Sequence, residues 1–198
     1  MLGLAAQWLG VNQTQANSVA PILISEEQGR HKSTFCRMLM PPQLARYYSD
    51  NLKLTAQGNP ERLLAEMGLL NMDEFDKFGA QKMPLLKNLM QMSSLNICKA
   101  YQKNFRSLPR IASFIGTSNR TDLLCDPTGS RRFICIEAEH DIDCTGIEHP
   151  QIYAQLKEEL LAGARHWFNK EEEHALQRHN SAYLSLIHIS EPTRLDVI

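Results

Sequence analysis

Short apolar runs alternate along the chain with polar loops and with segments of helical periodicity. Residues 18–25 (SVAPILIS) form a continuous apolar run entering a polar loop, the pattern of a buried strand. Residues 32–40 (KSTFCRMLM) read as a helix stopped by Pro41 and Pro42. Residues 61–66 read as a short helix, and 68–72 (GLLNM) as a second buried strand that ends in Asp73-Glu74. Residues 83–92 place Leu85, Leu86, Leu89 and Met90 at helical spacing, 111–116 (IASFIG) and 132–136 (RFICI) read as further strands, and 152–168 return to helical periodicity. Buried strands alternating with helices predict an α/β fold, a mostly parallel sheet covered on both faces.

Composition narrows the class without adding a function. The chain has 198 residues, 43% hydrophobic and 22% charged, enough for one domain with a sizeable core and far from the profile of a disordered chain. Lys plus Arg is 21 and Asp plus Glu is 22, so nucleic-acid binding would need a local patch. No apolar run approaches the roughly 18 residues of a membrane span, and 1–10 lack a basic leader. The five cysteines form no CxxC pair, which fits reduced thiols and a cytoplasmic location. Residues 184–194 (LSLIHISEPTR) resemble a translated adapter used in sequencing libraries. The domain is therefore expected to span 1–183, with 184–198 an artefactual tail that carries no function.

Four segments carry candidate chemistry. In 25–35 (SEEQGRHKSTF), a strand, a tight loop and Lys-Ser-Thr at a helix start form an arrangement that holds nucleotide phosphates. Loop N–H groups face the anion, lysine supplies a charge to the β and γ oxygens, and the next hydroxyl completes Mg²⁺ coordination. Gly29, Lys32, Ser33 and Thr34 are the candidates, with Ser33 also the metal ligand. Glu26 and His31 stand where the pattern GxxxxGK[ST] has glycine. The segment alone fits an ordinary strand-to-helix turn equally well.

In 68–78 (GLLNMDEFDKF) an apolar strand delivers two carboxylates to the sheet edge where ligands of open α/β sheets sit. Asp73 would bind the metal and Glu74 would polarise the attacking water; the alternative is a solvated acidic turn. In 111–120 (IASFIGTSNR) a strand ends at Asn119, suited to orienting that water or touching the γ-phosphate, or simply to a turn. In 126–133 (DPTGSRRF), Arg131 and Arg132 are a joint candidate for stabilising a transition-state phosphoryl oxygen, with a neighbouring subunit as one setting and pairing to an acid as the alternative.

Taken together, SEEQGRHKSTF, LLNMDEFDKF, FIGTSN and DPTGSRRF resemble the virulence-associated protein E family, over residues 8–168, and in particular a Bacteroides-type branch with an altered phosphate loop. The resemblance implies a P-loop NTPase, similar to superfamily 3 helicases and AAA+ proteins, working in phage, plasmids and genomic islands. It implies Lys32 and Ser33 as the phosphate-loop pair, Asp73 and Glu74 as metal and water carboxylates, Asn119 as sensor, and an arginine role for Arg131/Arg132. The family often carries a primase-like domain upstream, so the chain is expected to be a fragment or a stand-alone ATPase module.

Between the second and third segments, 99–110 (KAYQKNFRSLPR) carries Lys99, Lys103, Arg106 and Arg110 without an acid, interleaved with Tyr101 and Phe105. Cations that track a backbone and aromatics that stack on bases suit single-stranded DNA; a solvated basic face is the alternative. The stretch EHDIDC (139–144) and the pair His174/His179 lack metal-ligand spacing, and Met38, Met40, Met83, Met90, Met92 and Cys36 read as core filler. The expectation is ATP hydrolysis with Mg²⁺, coupled to DNA replication or mobilisation of a mobile element, in a homo-oligomer if an arginine comes in trans. A catalytically silent nucleotide- or DNA-binding module is the alternative, and a scaffold for protein interaction a third.

Overall fold

The computed structural model describes residues 1–11, 16–98 and 105–185. The elements run α1 (Leu2–Leu9), β1 (Ala20–Ile24), α2 (Lys32–Met38), β2 (Tyr48–Ser49), α3 (Pro60–Glu66), β3 (Leu69–Met72), α4 (Met83–Gln91), β4 (Ser94–Cys98), β5 (Phe105–Pro109), β6 (Ser113–Ser118), β7 (Phe133–Glu137), α5 (His149–Leu161) and α6 (Lys170–Asn180). Five strands form one sheet in the order β2-β3-β6-β1-β7, and every pairing in it is parallel. The α/β architecture expected from the sequence is therefore the one observed. Because the strands are parallel, the residues that follow β1, β3 and β6 emerge at one edge, the carboxyl edge.

Period-two alternation distributes the strand side chains between two faces. Ile22 and Ile24 of β1, Leu70 and Met72 of β3 and Phe114 of β6 pack with Leu64, Leu86 and Leu89 from α3 and α4. Leu23, Leu69 and Ile115, one register step away, pack with Leu4 of α1 and Cys36 of α2. Burial pushes the Cys36 thiol up to about 12, so it behaves as the small hydrophobe expected. The carbonyls that α2 leaves unpaired at its end are capped from α5: His149 Nε2 lies 2.6 Å from Met38 O, and Tyr153 donates to Leu39 O at 2.7 Å.

Several expectations need correction. The helix expected over 152–168 stops at Leu161 because Gly163 takes a left-handed backbone (φ 84) and ends it in a turn. The strand expected over 111–116 is shifted to Ser113–Ser118, since 111 and 112 bond to Leu64 O before the ladder begins. The stretch between α4 and β6 holds an antiparallel hairpin of β4 and β5 outside the main sheet, and α1 was not anticipated. At the tail boundary, Leu184 forms a parallel bridge with Leu124, and Ser185 N donates to Leu124 O at 2.8 Å; the rest of the expected tail lies outside the described residues. Among the described residues no helix is long and apolar enough to cross a membrane.

Candidate functional site

The carboxyl edge gathers side chains from three separate segments. Lys32, the first residue of α2, is only 7% exposed and turns back under its own loop. Its Nζ donates to Ser25 O (3.1 Å), to Glu27 O (3.4 Å) and to Asn119 Oδ1 (3.0 Å). Burial lowers its pKa, as does the charge of Arg30, while Asp73 and Asp76 pull the other way. Ser33 Oγ donates to Asp73 Oδ1 at 2.8 Å. The structure thus brings Lys32, Ser33, Asp73 and Asn119 together, although they lie on α2, after β3 and after β6. Thr34 is exposed on α2 beside Ser33, and Gly29 is exposed in the loop with φ 86.

Backbone geometry sets this site apart. Among described residues the non-glycine positions with positive φ are His31 (59°), Asn59 (43°) and Glu74 (52°); two of them flank the proposed chemistry. His31 stands where the phosphate-loop pattern has glycine and adopts the left-handed backbone that glycine would take without a Cβ clash. Arg30 tethers the loop: it pairs with Glu27 at 2.6 Å and donates to Glu139 O, while its carbonyl accepts from Ile142 N at 3.3 Å. A cleft of about 360 Å³ beside it is lined by Ser25, Glu26, Glu27, Arg30, Glu137 and Glu139 among others.

Glu74 is half-buried, and its carboxylate pairs with Lys77 at 2.6 Å. The tip of β6 connects all parts of the edge. Thr117 Oγ1 donates to Asp73 Oδ1 at 2.6 Å and accepts from Glu74 N at 3.3 Å. Ser118 Oγ donates to Asp76 Oδ1 at 3.1 Å, and Asn119 receives Lys32. Sequence reasoning singled out Asn119 and overlooked Thr117, Ser118, Asp76 and Lys77. The signal was available, because three successive polar residues ending a buried strand cannot all face solvent.

Arg131 and Arg132 lie elsewhere. They precede β7, whose first residue pairs with Ala20 at the start of β1, so they sit at the amino edge. The rise along a strand puts them about 20 Å from the level of Ser25, beyond the reach of an arginine within the same chain. Arg131 pairs with Glu173 of α6 at 3.1 Å, and burial lowers the pKa of half-buried Arg132, with the charge of Arg131 adding to it. The turn is held from α6, where the fully buried Asn180 donates to Ser130 O and Phe133 O, both at 2.7 Å. A setting in which they act on Lys32's own loop is therefore corrected, because within this chain they lie at the opposite edge of the sheet.

The basic segment also divides. Lys99, Tyr101 and Lys103 lie outside the described residues, and Arg106 is exposed on β5. Arg110 is a correction: it is 1% exposed, not available to a phosphate backbone. Its guanidinium donates to Ala112 O (2.7 Å), Met90 O (2.6 Å) and Asn17 O (2.6 Å), with longer bonds to Leu89 O and Met92 O. Burial lowers it to about 9, so it remains a cation at neutral pH, tying the hairpin base to the core. Among the described residues no group of three or more His, Cys, Asp or Glu gathers to hold a metal. The donor set Ser33 and Asp73 instead fits Mg²⁺, which takes one or two protein oxygens alongside substrate phosphates.

Comparisons with known proteins complete the description. No curated protein sequence matches the chain. Solved structures similar to it include the A form apo structure of the NrS-1 C-terminal region (residues 305–718), at 21% identity and a TM-score of 0.47, covering 91% of this chain and 38% of that one. A second apo structure of that region gives 19% identity and 0.49, covering 91% and 40%. The chain thus spans about two fifths of the solved chains it matches. The model of the virulence-associated protein E-like domain matches residues 11–185, most of the sequence, and the chain accordingly belongs to the virulence-associated protein E-like domain family.

Proposed function

We propose that this chain is a P-loop NTPase domain that hydrolyses ATP with Mg²⁺ in the service of DNA replication or mobilisation of a mobile element. The observation that carries the reading is the meeting of Lys32, Ser33, Asp73 and Asn119 at one sheet edge, with Ser33 Oγ 2.8 Å from Asp73 and Lys32 Nζ 3.0 Å from Asn119. An ammonium, a hydroxyl–carboxylate pair and an amide at the carboxyl ends of parallel strands are the groups that phosphoryl transfer needs. Membership of the family supports the link to DNA.

In this reading Lys32 exchanges its carbonyl partners for the β and γ oxygens of ATP. Ser33 and Asp73 would hold Mg²⁺, which when bound would supply positive charge against the charge that develops on the phosphoryl group. Glu74 leaves Lys77 and orients the attacking water, while Asn119, freed from Lys32, faces the γ-phosphate. Arg131 and Arg132 serve the site of a neighbouring copy, which makes turnover depend on assembly into a homo-oligomer. Lys99, Lys103 and Arg106 remain the candidates for contact with DNA, and Arg110 drops out of that set.

A second reading, a catalytically silent nucleotide- or DNA-binding module, draws on a specific observation. Glu26, Glu27, Glu137 and Glu139 line the cleft beside the loop and repel phosphate, while Lys77 already engages Glu74. Phosphate release with ATP and Mg²⁺, with and without single-stranded DNA, separates the two. ATPase activity that DNA stimulates and that Lys32→Ala and Glu74→Gln abolish upholds the first; a folded protein without turnover at any concentration leaves the second.

A further inference from the structure

We propose that Thr117 is a positioning residue that holds both carboxylates of the β3 turn in register, an inference that rests on the ATPase reading above. Thr117 is 3% exposed near the end of β6, opposite Leu23 of β1. A threonine hydroxyl has one proton to donate and lone pairs to accept with, and both capacities are spent on consecutive residues. The proton goes to Asp73 Oδ1 at 2.6 Å, and the Glu74 N–H is accepted at 3.3 Å.

These two bonds act on the strained part of the site. Glu74 holds φ 52, a backbone that an L residue leaves unless its surroundings hold it there. With its N–H anchored to β6, the residue's carboxylate is aimed from a fixed point. The same hydroxyl fixes the Asp73 oxygen that also receives Ser33 at 2.8 Å. One side chain on the central part of the sheet thereby sets the spacing between the carboxylate expected to hold the metal and the one expected to orient water. The parallel pairing of β3 with β6, which puts Met72 opposite Gly116, makes the reach possible.

The test compares Thr117→Val, which keeps the shape and removes the hydroxyl, with Thr117→Ser, which keeps the hydroxyl. In the full chain, Thr117→Val should lower kcat for ATP about 100-fold, the scale of an ångström-sized misplacement. Its KM for ATP, governed by Lys32, should change by less than about threefold, and Thr117→Ser should recover kcat to within about threefold. Amide-resolved hydrogen exchange should show the Glu74 N–H losing about tenfold protection in Thr117→Val, as expected for one lost hydrogen bond, while the Leu70 and Met72 amides keep theirs. Wild-type turnover combined with an unimpaired Thr117→Val enzyme overturns this inference alone, as does unchanged Glu74 protection. A wild type without turnover overturns the ATPase reading and takes the positioning role with it.

Discussion

His31 opens α2 from a left-handed backbone (φ 59, ψ 19), with its side chain exposed and making no cap hydrogen bond. Substitution there perturbs the backbone almost alone. A left-handed residue with a Cβ carries a cost of about 1–2 kcal/mol, and glycine escapes it. Glycine also frees the unfolded chain, which returns about 0.5–1 kcal/mol of that gain. His31→Gly should therefore be more stable than His31→Ala by about 1 kcal/mol, with the wild type between them because histidine tolerates this region better than alanine. For a chain of this length that gap is roughly 2–4 °C in Tm.

Gly29→Ala supplies an internal calibration. Gly29 has φ 86, and a Cβ built there meets no heavy atom within 4 Å, so its loss of about 1 kcal/mol would be purely conformational. Thermal melts and urea titrations of the four proteins give the comparison. An alanine at 31 as stable as glycine would refute the left-handed entry into α2, and with it the argument that this turn delivers Lys32 beneath its loop. If the loop takes phosphate, His31→Gly should also tighten Mg·ATP binding by calorimetry, since the backbone can then approach the anion without a side chain in the way.

Lys32→Met should abolish nucleotide binding without lowering the denaturation midpoint at neutral pH, because burial already opposes the charge. Since that burial lowers Lys32's pKa from 10.5, the folded protein binds fewer protons there than the unfolded chain. Wild type should gain on the variant as pH rises toward 10.5, and a pH series of urea midpoints reads the gap. Gly116→Ala places a Cβ 2.7 Å from Ile22 Cδ1 and 3.2 Å from Met72 O in a fully packed sheet; an overpacking loss of about 1–3 kcal/mol is expected in denaturant titrations. Arg165 and the Asn169 N–H hold the Glu172 carboxyl below 4.5. Stability from this group is present above that range and lost as pH falls through the lowered pKa, so Glu172→Gln should flatten the acid limb of the melting curve.

β1, β3 and β6 were legible because they are almost wholly buried and so read as continuous apolar runs, whereas the two-residue β2 and the hairpin strands β4 and β5 carry no such run and went unread. The meeting of Lys32, Ser33, Asp73 and Asn119 was legible for a related reason, as polar residues placed just after apolar strands end. Asn71 shows the limit, a polar residue buried inside β3 that no periodicity rule anticipates. Arg110 misled in the opposite direction. In sequence it stands among cations, and only the fold reveals that the carbonyls of Asn17, Met90 and Ala112 converge on it. The placement of Arg131 and Arg132 was within reach of the sequence, because residues just before a strand of a parallel sheet lie at its amino edge, opposite the residues that follow β1, β3 and β6.

The hairpin of β4 and β5 departs from the main sheet after Ser93 and returns at Arg110, whose N–H bonds Ser93 O at 3.0 Å. Exit and return are thus neighbours, and the main sheet closes without either strand. Apart from Leu95, which packs in the main core, the excursion can therefore change in length as a cassette without disturbing the order β2-β3-β6-β1-β7. The arginine at the seam must stay behind, because its guanidinium is fastened to the core and not to the cassette.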